Sequence, residues 1–124
     1  MNKKLVLVVE DDDCCYMLIK KYLAIIGIDT IRSSTGKHAI ETCKTNLRIS
    51  LVLLDLRLPD INGIEVCKSI KSFRPDLTVV FESATTEPKL IDLAFRAGAQ
   101  AYVTKPISYN DLMSVLPEEI LEVR

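Results

Sequence analysis

The 124-residue chain contains no apolar run of about 18 residues, the least that a membrane-spanning helix needs. Its opening "MNKKLVLVV" starts like a secretion signal, but the apolar stretch is short and stops at acids. A cytoplasmic location without a membrane partner is therefore expected. An excess of one charge is missing too. Sixteen basic and seventeen acidic residues leave a net charge of −1, with no basic surplus for binding nucleic acid directly. Cys14, Cys15, Cys43 and Cys67 form no CxxC pair, and the single histidine, His38, has no acid or cysteine at ligand spacing. The cysteines are expected as free thiols acting as small apolar residues, and His38 as a solvated helix position. No GxGxxG follows the first apolar run, which argues against a dinucleotide or flavin site. Repeats, low-complexity tracts and linkers are absent, so the length suits one domain, expected over residues 1–124.

What the chain does have is alternation. The segments "LVLVV" (5–9), "IDTIRS" (28–33), "SLVLLD" (50–55), "LTVVFE" (77–82) and "QAYVT" (100–104) read as strands. A helix from about Asp13 should present Met17, Leu18, Tyr22, Ile25 and Ile26 to the core and stop at Gly27. Ser34 or Thr35 can cap a second, with Ala39, Ile40, Cys43 and Leu47 as its stripe. The turn "LPDING" leads to a third helix carrying Val66, Cys67 and Ile70 and ending before Pro75. Thr85 or Thr86 can cap a fourth, with Leu90, Ile91, Ala94 and Phe95, closed by Gly98. A fifth follows in "KPISYNDLMSVL", which Pro117 ends or bends.

Five strand–helix repeats imply an α/β fold: a doubly wound parallel sheet with helices on both faces. Such sheets place ligands beyond the carboxyl ends of their strands. There the chain puts Glu10 and Asp11 after the first strand, Asp55 after the third, Ser83 after the fourth and Lys105 after the fifth. The second strand offers only Ser33 and Ser34. Two carboxylates 4 Å apart repel by roughly 4 kcal/mol at an effective dielectric of about 20, so a cation is called for. Oxygen donors of this kind suit a hard divalent ion such as Mg2+, with a phosphate completing the arrangement. Lys105 can meet a phosphate oxygen as a point charge, and Ser83 can donate to another. Asp55, between metal and lysine, stands as a nucleophile toward phosphorus. Asp12 and Asp13 read as a helix cap and first-turn charge, not as ligands.

The stretches "VVEDDD", "LVLLDLRLPDINGIEV", "ESA" and "AYVTKPI", in that order, resemble the receiver domain of two-component response regulators. The similarity runs from about residue 4 to 116 and implies a flavodoxin-like, five-stranded sheet of order 2-1-3-4-5. It implies phosphorylation of Asp55 by the phosphohistidine of a sensor kinase or phosphotransfer protein. Mg2+ would be held by Asp11, Asp55 and the backbone carbonyl of Arg57, with Glu10 reaching it through water. Ser83 matches the switch hydroxyl, Lys105 the family's lysine and Tyr102 the aromatic that turns inward on activation. Pro106 matches a proline after a cis peptide bond, and Gly63 the turn before the third helix. Phosphorylation would repack the surface around the fourth helix and fifth strand, and a homodimer through the fourth helix, fifth strand and fifth helix is a further expectation. Such a domain is not a conventional enzyme, although it assists its own phosphorylation and dephosphorylation.

Glu82 departs from the pattern, standing where an apolar strand residue is usual, and is expected at the exposed rim because unpaired carboxylates are seldom buried. Arg57 and Thr85 flank the approach to Asp55. Two rivals remain: a degenerate receiver acting only through protein binding, and an aspartyl-nucleophile phosphatase. The first is at odds with the full set of chemical positions. The second wants an acid two residues after the nucleophile, where Arg57 stands. Little chain follows residue 116, so a stand-alone regulator and a piece of a hybrid kinase are both open; the cognate kinase and the effector are not legible.

Overall fold

Uniformly apolar strands hide both faces only in a sheet covered on both sides, and such a sheet is what forms. The computed structural model describes residues 4–121. Along the chain run β1 (Leu5–Val9), α1 (Asp13–Ile25), β2 (Asp29–Ser33), α2 (Gly36–Thr45), β3 (Ile49–Asp55) and α3 (Gly63–Phe73). Then follow β4 (Thr78–Ser83), α4 (Pro88–Arg96), β5 (Ala101–Thr104), α5 (Tyr109–Val115) and the single turn α6 (Glu118–Leu121). Every pairing is parallel, as the alternation implied, and the sheet order is β2-β1-β3-β4-β5, as the resemblance implied.

Side chains alternate across each strand, which divides the core in two. Leu7, Val9, Val52, Leu54 and Phe81 face α2, α3 and α4, where Cys43, Cys67, Ile70 and Ala94 meet them. Val6, Val8, Leu51, Leu53 and Val80 face α1 and α5, against Ile19, Leu23 and Leu112. Each such leucine contributes about 1.5–3 kcal/mol on burial. Among the described residues no helix is long and apolar enough to cross a membrane.

Helix starts follow local chemistry, with one exception. Asp12, Thr35, Asn62 and Ser108 cap α1, α2, α3 and α5, each accepting from a backbone N–H three residues on. The fourth helix is not capped by Thr85 or Thr86. It begins at Pro88, whose ring presets the helical φ and which lacks an N–H to satisfy, and Glu87 makes no side-chain cap bond. Gly27, at φ +78°, ends the first helix in a backbone region that L side chains avoid.

The expected inward stripe of α1 is partly out of phase. Ile19 and Leu23 are its buried residues, supported by Tyr22 and Ile26, whereas Met17, Leu18 and Ile25 are exposed. The helix is apolar on two adjoining faces, so spacing alone fits either; contact with the sheet selects one. Leu47 lies beyond α2 and is 75% exposed, and Phe95 faces outward from α4. Cys43 and Cys67 are buried free thiols, but Cys14 is exposed. Pro117 ends the fifth helix and opens α6, which buries Ile120; residues 122–124 of the tail lie outside the described residues.

Candidate functional site

The same alternation that builds the core builds the site. Glu10 follows Val6 and Val8, Asp55 follows Leu51 and Leu53, Glu82 follows Val80, and Lys105 follows Val103, each two residues on. All four therefore lean toward the α1 and α5 side at the carboxyl rim. Parallel register brings them level, with Asp55 opposite Glu82 and Glu82 opposite Val103.

The Lys105 ammonium is their common partner. Its Nζ lies 2.8 Å from Glu10 Oε1, 2.9 Å from Asp55 Oδ2 and 3.3 Å from Glu82 Oε1. Asp55 Oδ1 accepts from the backbone N–H of Arg57 at 3.1 Å, and Glu10 Oε2 from that of Asp12 at 3.1 Å. Glu10, Asp55 and Glu82 are all buried, whereas Asp11, Arg57 and the α1 cap Asp12 are exposed. Glu10 Oε1 and Glu82 Oε1 are buried without a well-angled hydrogen bond, with the lysine ammonium as the cation nearest each.

Protonation follows from this crowding. Burial acts to raise the pKa of Glu10, but close contact with Glu82 and Lys105 and the hydrogen bond from the Asp12 N–H outweigh it and bring the value down to about 2. Glu82 goes the opposite way: burial, then the bond to ionised Glu10, push it up to about 10, so it keeps its proton at neutral pH. Burial also raises Asp55 above the ordinary carboxylate range, with Lys105 and the Arg57 N–H opposing. Burial pulls Lys105 down, yet its carboxyl neighbours, Glu10 foremost, carry it well above an ordinary lysine, and it stays charged. The Cys15 thiol, 4.0 Å from Glu82 Oε2, is pushed far up by burial and by Glu82.

These states decide which groups could hold an ion. Oxygens of Glu10, Asp11 and Asp55 lie within 4.8 Å of one another. One lysine cannot neutralise three acids, and the donors are all hard oxygens, so a divalent cation of the Mg2+ kind fits. Glu10, Cys15 and Glu82 also cluster within 4.8 Å, but the latter two keep their protons and make poor ligands.

The remaining candidates surround this rim. Ser83, buried at the end of β4, accepts from the Thr85 N–H at 3.4 Å, and its carbonyl accepts from the Lys105 N–H at 2.8 Å. Tyr102 lies across from Phe81 in register, stacks on it at 6.5 Å, and donates its hydroxyl to the Thr85 carbonyl at 2.9 Å. The Lys105–Pro106 peptide bond is cis. Gly63 starts α3 against the end of β3: a Cβ there would stand 2.9 Å from Leu56 Cα, in conflict with the Asp55 carbonyl as well. Its N–H donates to the Leu56 carbonyl at 2.8 Å.

Two expectations need correction. Glu82 is not exposed at the rim; it is 1% exposed and stacked into the site. Its burial is tolerated because it stays protonated beside Glu10 and Lys105, a pairing that only the assembled sheet supplies. Nor is β2 silent, since Arg32 reaches from it, where Ser33 and Ser34 were the residues expected. Arg32 Nε donates to the Glu10 carbonyl at 2.9 Å, Nη1 lies 2.7 Å from Asp13 Oδ1, and the guanidinium sits 4.9 Å above the Tyr16 ring. It braces the acidic β1–α1 loop. A lone basic residue in a weak strand was the signal, but nothing local says which loop it reaches. Asp60 was missed as well: its carboxylate accepts from the N–H groups of Gly36 and Lys37 at 2.8 and 2.9 Å, tying the loop after β3 to the start of α2.

Comparison with known proteins agrees with this geometry. The family described as Response regulator receiver domain matches residues 6–117. The Regulatory protein LuxO of Vibrio vulnificus is 36% identical over 104 residues, 84% of this chain and 23% of the relative. The Alkaline phosphatase synthesis transcriptional regulatory protein PhoP of Bacillus subtilis is 35% identical over 112 residues, 90% of this chain and 46% of the relative. This chain thus spans less than half the length of either. Among solved structures, a CheY-like receiver domain protein from Methanospirillum hungatei superposes with a TM-score of 0.88 at 24% identity, over 96% of this chain and 94% of that one, a likeness of fold. The response regulator DrrB of Thermotoga maritima gives 0.80 at 28% identity, over 91% of this chain and 50% of that one. With the sheet order, the acidic rim and this match over most of its length, the chain belongs to the response regulator receiver domain family of two-component systems.

Proposed function

We propose that the domain accepts a phosphoryl group at Asp55 from the phosphohistidine of a sensor histidine kinase or phosphotransfer protein. A carboxylate oxygen of Asp55 bonds to phosphorus as the P–N bond breaks, its electron pair staying on the donor imidazole. Asp11, Asp55 and the Arg57 backbone carbonyl, with Glu10 behind them, would hold Mg2+, which when bound offsets the negative charge gathering at the phosphoryl oxygens. Lys105 donates to one phosphoryl oxygen and the Ser83 hydroxyl to another, which draws in the loops after β4 and β5. Tyr102, tied to the Thr85 carbonyl, follows that loop. Gly63 and Pro106 shape the backbone on either side.

The observation that carries this reading is the position of Asp55: a buried carboxylate 2.9 Å from Lys105 and within 4.8 Å of the Glu10 and Asp11 oxygens. The domain is not a conventional enzyme in this reading; it assists gain and loss of its own phosphoryl group. The output surface would be α4, β5 and α5, where exposed Leu93 and Phe95 support contact with an effector or a second copy. Donors of this kind act in the cytoplasm, where we place the domain.

Acetyl phosphate or beryllofluoride should load wild type only with Mg2+ present, and Asp55→Asn not at all. Loading without Mg2+, or loading of Asp55→Asn, would overturn the assignment. NMR shifts on loading should concentrate in residues 84–108; an unchanged segment would overturn the switch.

A further inference from the structure

We propose that Glu82 is a positioning residue of the phosphoryl-accepting site: its carboxyl, 3.3 Å from the Lys105 ammonium, draws the lysine to the α1 and α5 side and so competes with Asp55 for it. This rests on the phosphoryl-accepting role of Asp55 above.

An ammonium has three donors and no acceptor. At Lys105 the well-angled hydrogen bond goes to Asp55 at 2.9 Å, while Glu10 at 2.8 Å and Glu82 at 3.3 Å crowd the ammonium without one. A phosphoryl group on Asp55 brings new oxygens to the same ammonium, which three carboxyls already surround. To meet them the ammonium moves away from one of its present neighbours. Glu82 is the longest of the three contacts and the one that the proposed metal set leaves out. It is also almost wholly buried, so water does not take its place when the lysine swings away. Its other neighbours are the Glu10 carboxylate and the Cys15 thiol, which at 4.0 Å is a weak donor.

Packing does not account for a carboxyl at this position. Val80 and Val103 precede Glu82 and Lys105 on this face and Ile107 follows, all within one apolar cluster. An apolar side chain of similar length would fill the site at less desolvation cost. What the carboxyl adds is an acceptor aimed at Lys105. Its effect is to weaken the grip of the lysine on a phosphoryl group, and so to set how strongly loading of Asp55 pulls the loop after β5.

The test uses Glu82→Leu, Glu82→Met and Glu82→Gln. With Mg2+ present, Leu and Met should tighten beryllofluoride binding about fivefold, the worth of one polar contact to a charged group, while Gln, which keeps an acceptor oxygen, should stay within about twofold of wild type. In the free protein, Leu and Met should speed water exchange of the Lys105 ammonium protons seen by 15N NMR, because the ammonium loses a polar neighbour on its buried side. Binding equal to or weaker than wild type in Leu and Met would overturn the role, as would a gain in Gln matching theirs or an unchanged lysine signal. If Leu does not fold, Met carries the same arms. Wild type that takes no beryllofluoride with Mg2+ would instead overturn the reading of Asp55, and this role with it; the lysine exchange in the free protein separates the two failures.

Discussion

The two faces of the sheet end differently at the carboxyl rim. On the α2–α4 side the strands finish in Phe81, Tyr102 and the Gly63 turn, an aromatic stack closed by a backbone contact. On the α1 and α5 side they finish in Glu10, Asp55, Glu82 and Lys105, three buried carboxyls around one ammonium. Both faces grow from equally apolar strands, so the contrast is confined to the last residue or two. Packing on the first face contributes stability. Charge on the second face costs desolvation that its pairing only partly repays, so that face is explained by chemistry, not by folding.

The sharpest way to break this contrast is Asp55→Asn, which should reduce Mg2+-dependent uptake from acetyl phosphate to background while leaving urea stability unchanged or about 1 kcal/mol higher. A stability loss beyond 2 kcal/mol would place the folding energy on the wrong face. Phe81→Ala is its mirror image. Removing a fully buried ring should lower stability by about 3–5 kcal/mol in urea denaturation, while the folded fraction still takes up phosphoryl groups.

Acidity separates the faces by a different measurement. The folded pKa of Glu82, about 10, lies above its ordinary 4.5, so between those values the native state holds a proton that the unfolded chain has lost. Its stabilising contribution is complete below 4.5 and is lost as pH rises toward 10, at about 1.4 kcal/mol per unit. Glu10 has the opposite sign: its folded value near 2 makes its contribution present above 4.5 and lost as pH falls toward 2. Urea midpoints should therefore fall from pH 6 to pH 8, and Glu82→Gln should flatten that slope. An equal slope in both proteins would mean that Glu82 is ionised.

Gly63→Ala probes the seam between the faces, because its Cβ would press on the backbone of Asp55 and Leu56. It should cost about 1–3 kcal/mol and weaken Mg2+ binding as well, read by calorimetry. Asp12→Ala should be the mildest change, about 1 kcal/mol from a lost helix cap, with phosphoryl uptake near wild type.

Much of this was legible beforehand. The five strands and their parallel pairing followed from apolar runs separated by amphipathic segments, the strand order from the resemblance to receiver domains, and the convergent residues from asking what stands after each strand. The phase of α1 did not, because Met17, Leu18 and Ile25 satisfy helical spacing as well as Ile19 and Leu23 do. The start of α4 did not either, because Thr85 and Thr86 have capping side chains, whereas Pro88 starts the helix through its fixed φ. Glu82 could have been placed by counting in twos from Val80; composition rules against buried acids pointed the other way.

The order of residues along the chain determined which groups arrive at the rim, since a period of two and a parallel sheet leave few other outcomes. Only the tertiary structure decided what those groups are once there. Whether Glu82 holds a proton, whether Lys105 is divided among three carboxyls, and where Arg32 reaches depend on distances of about 3 Å between residues remote in sequence. Electrostatic energy in a dry interior varies steeply over such distances, and sequence spacing carries no measure of them.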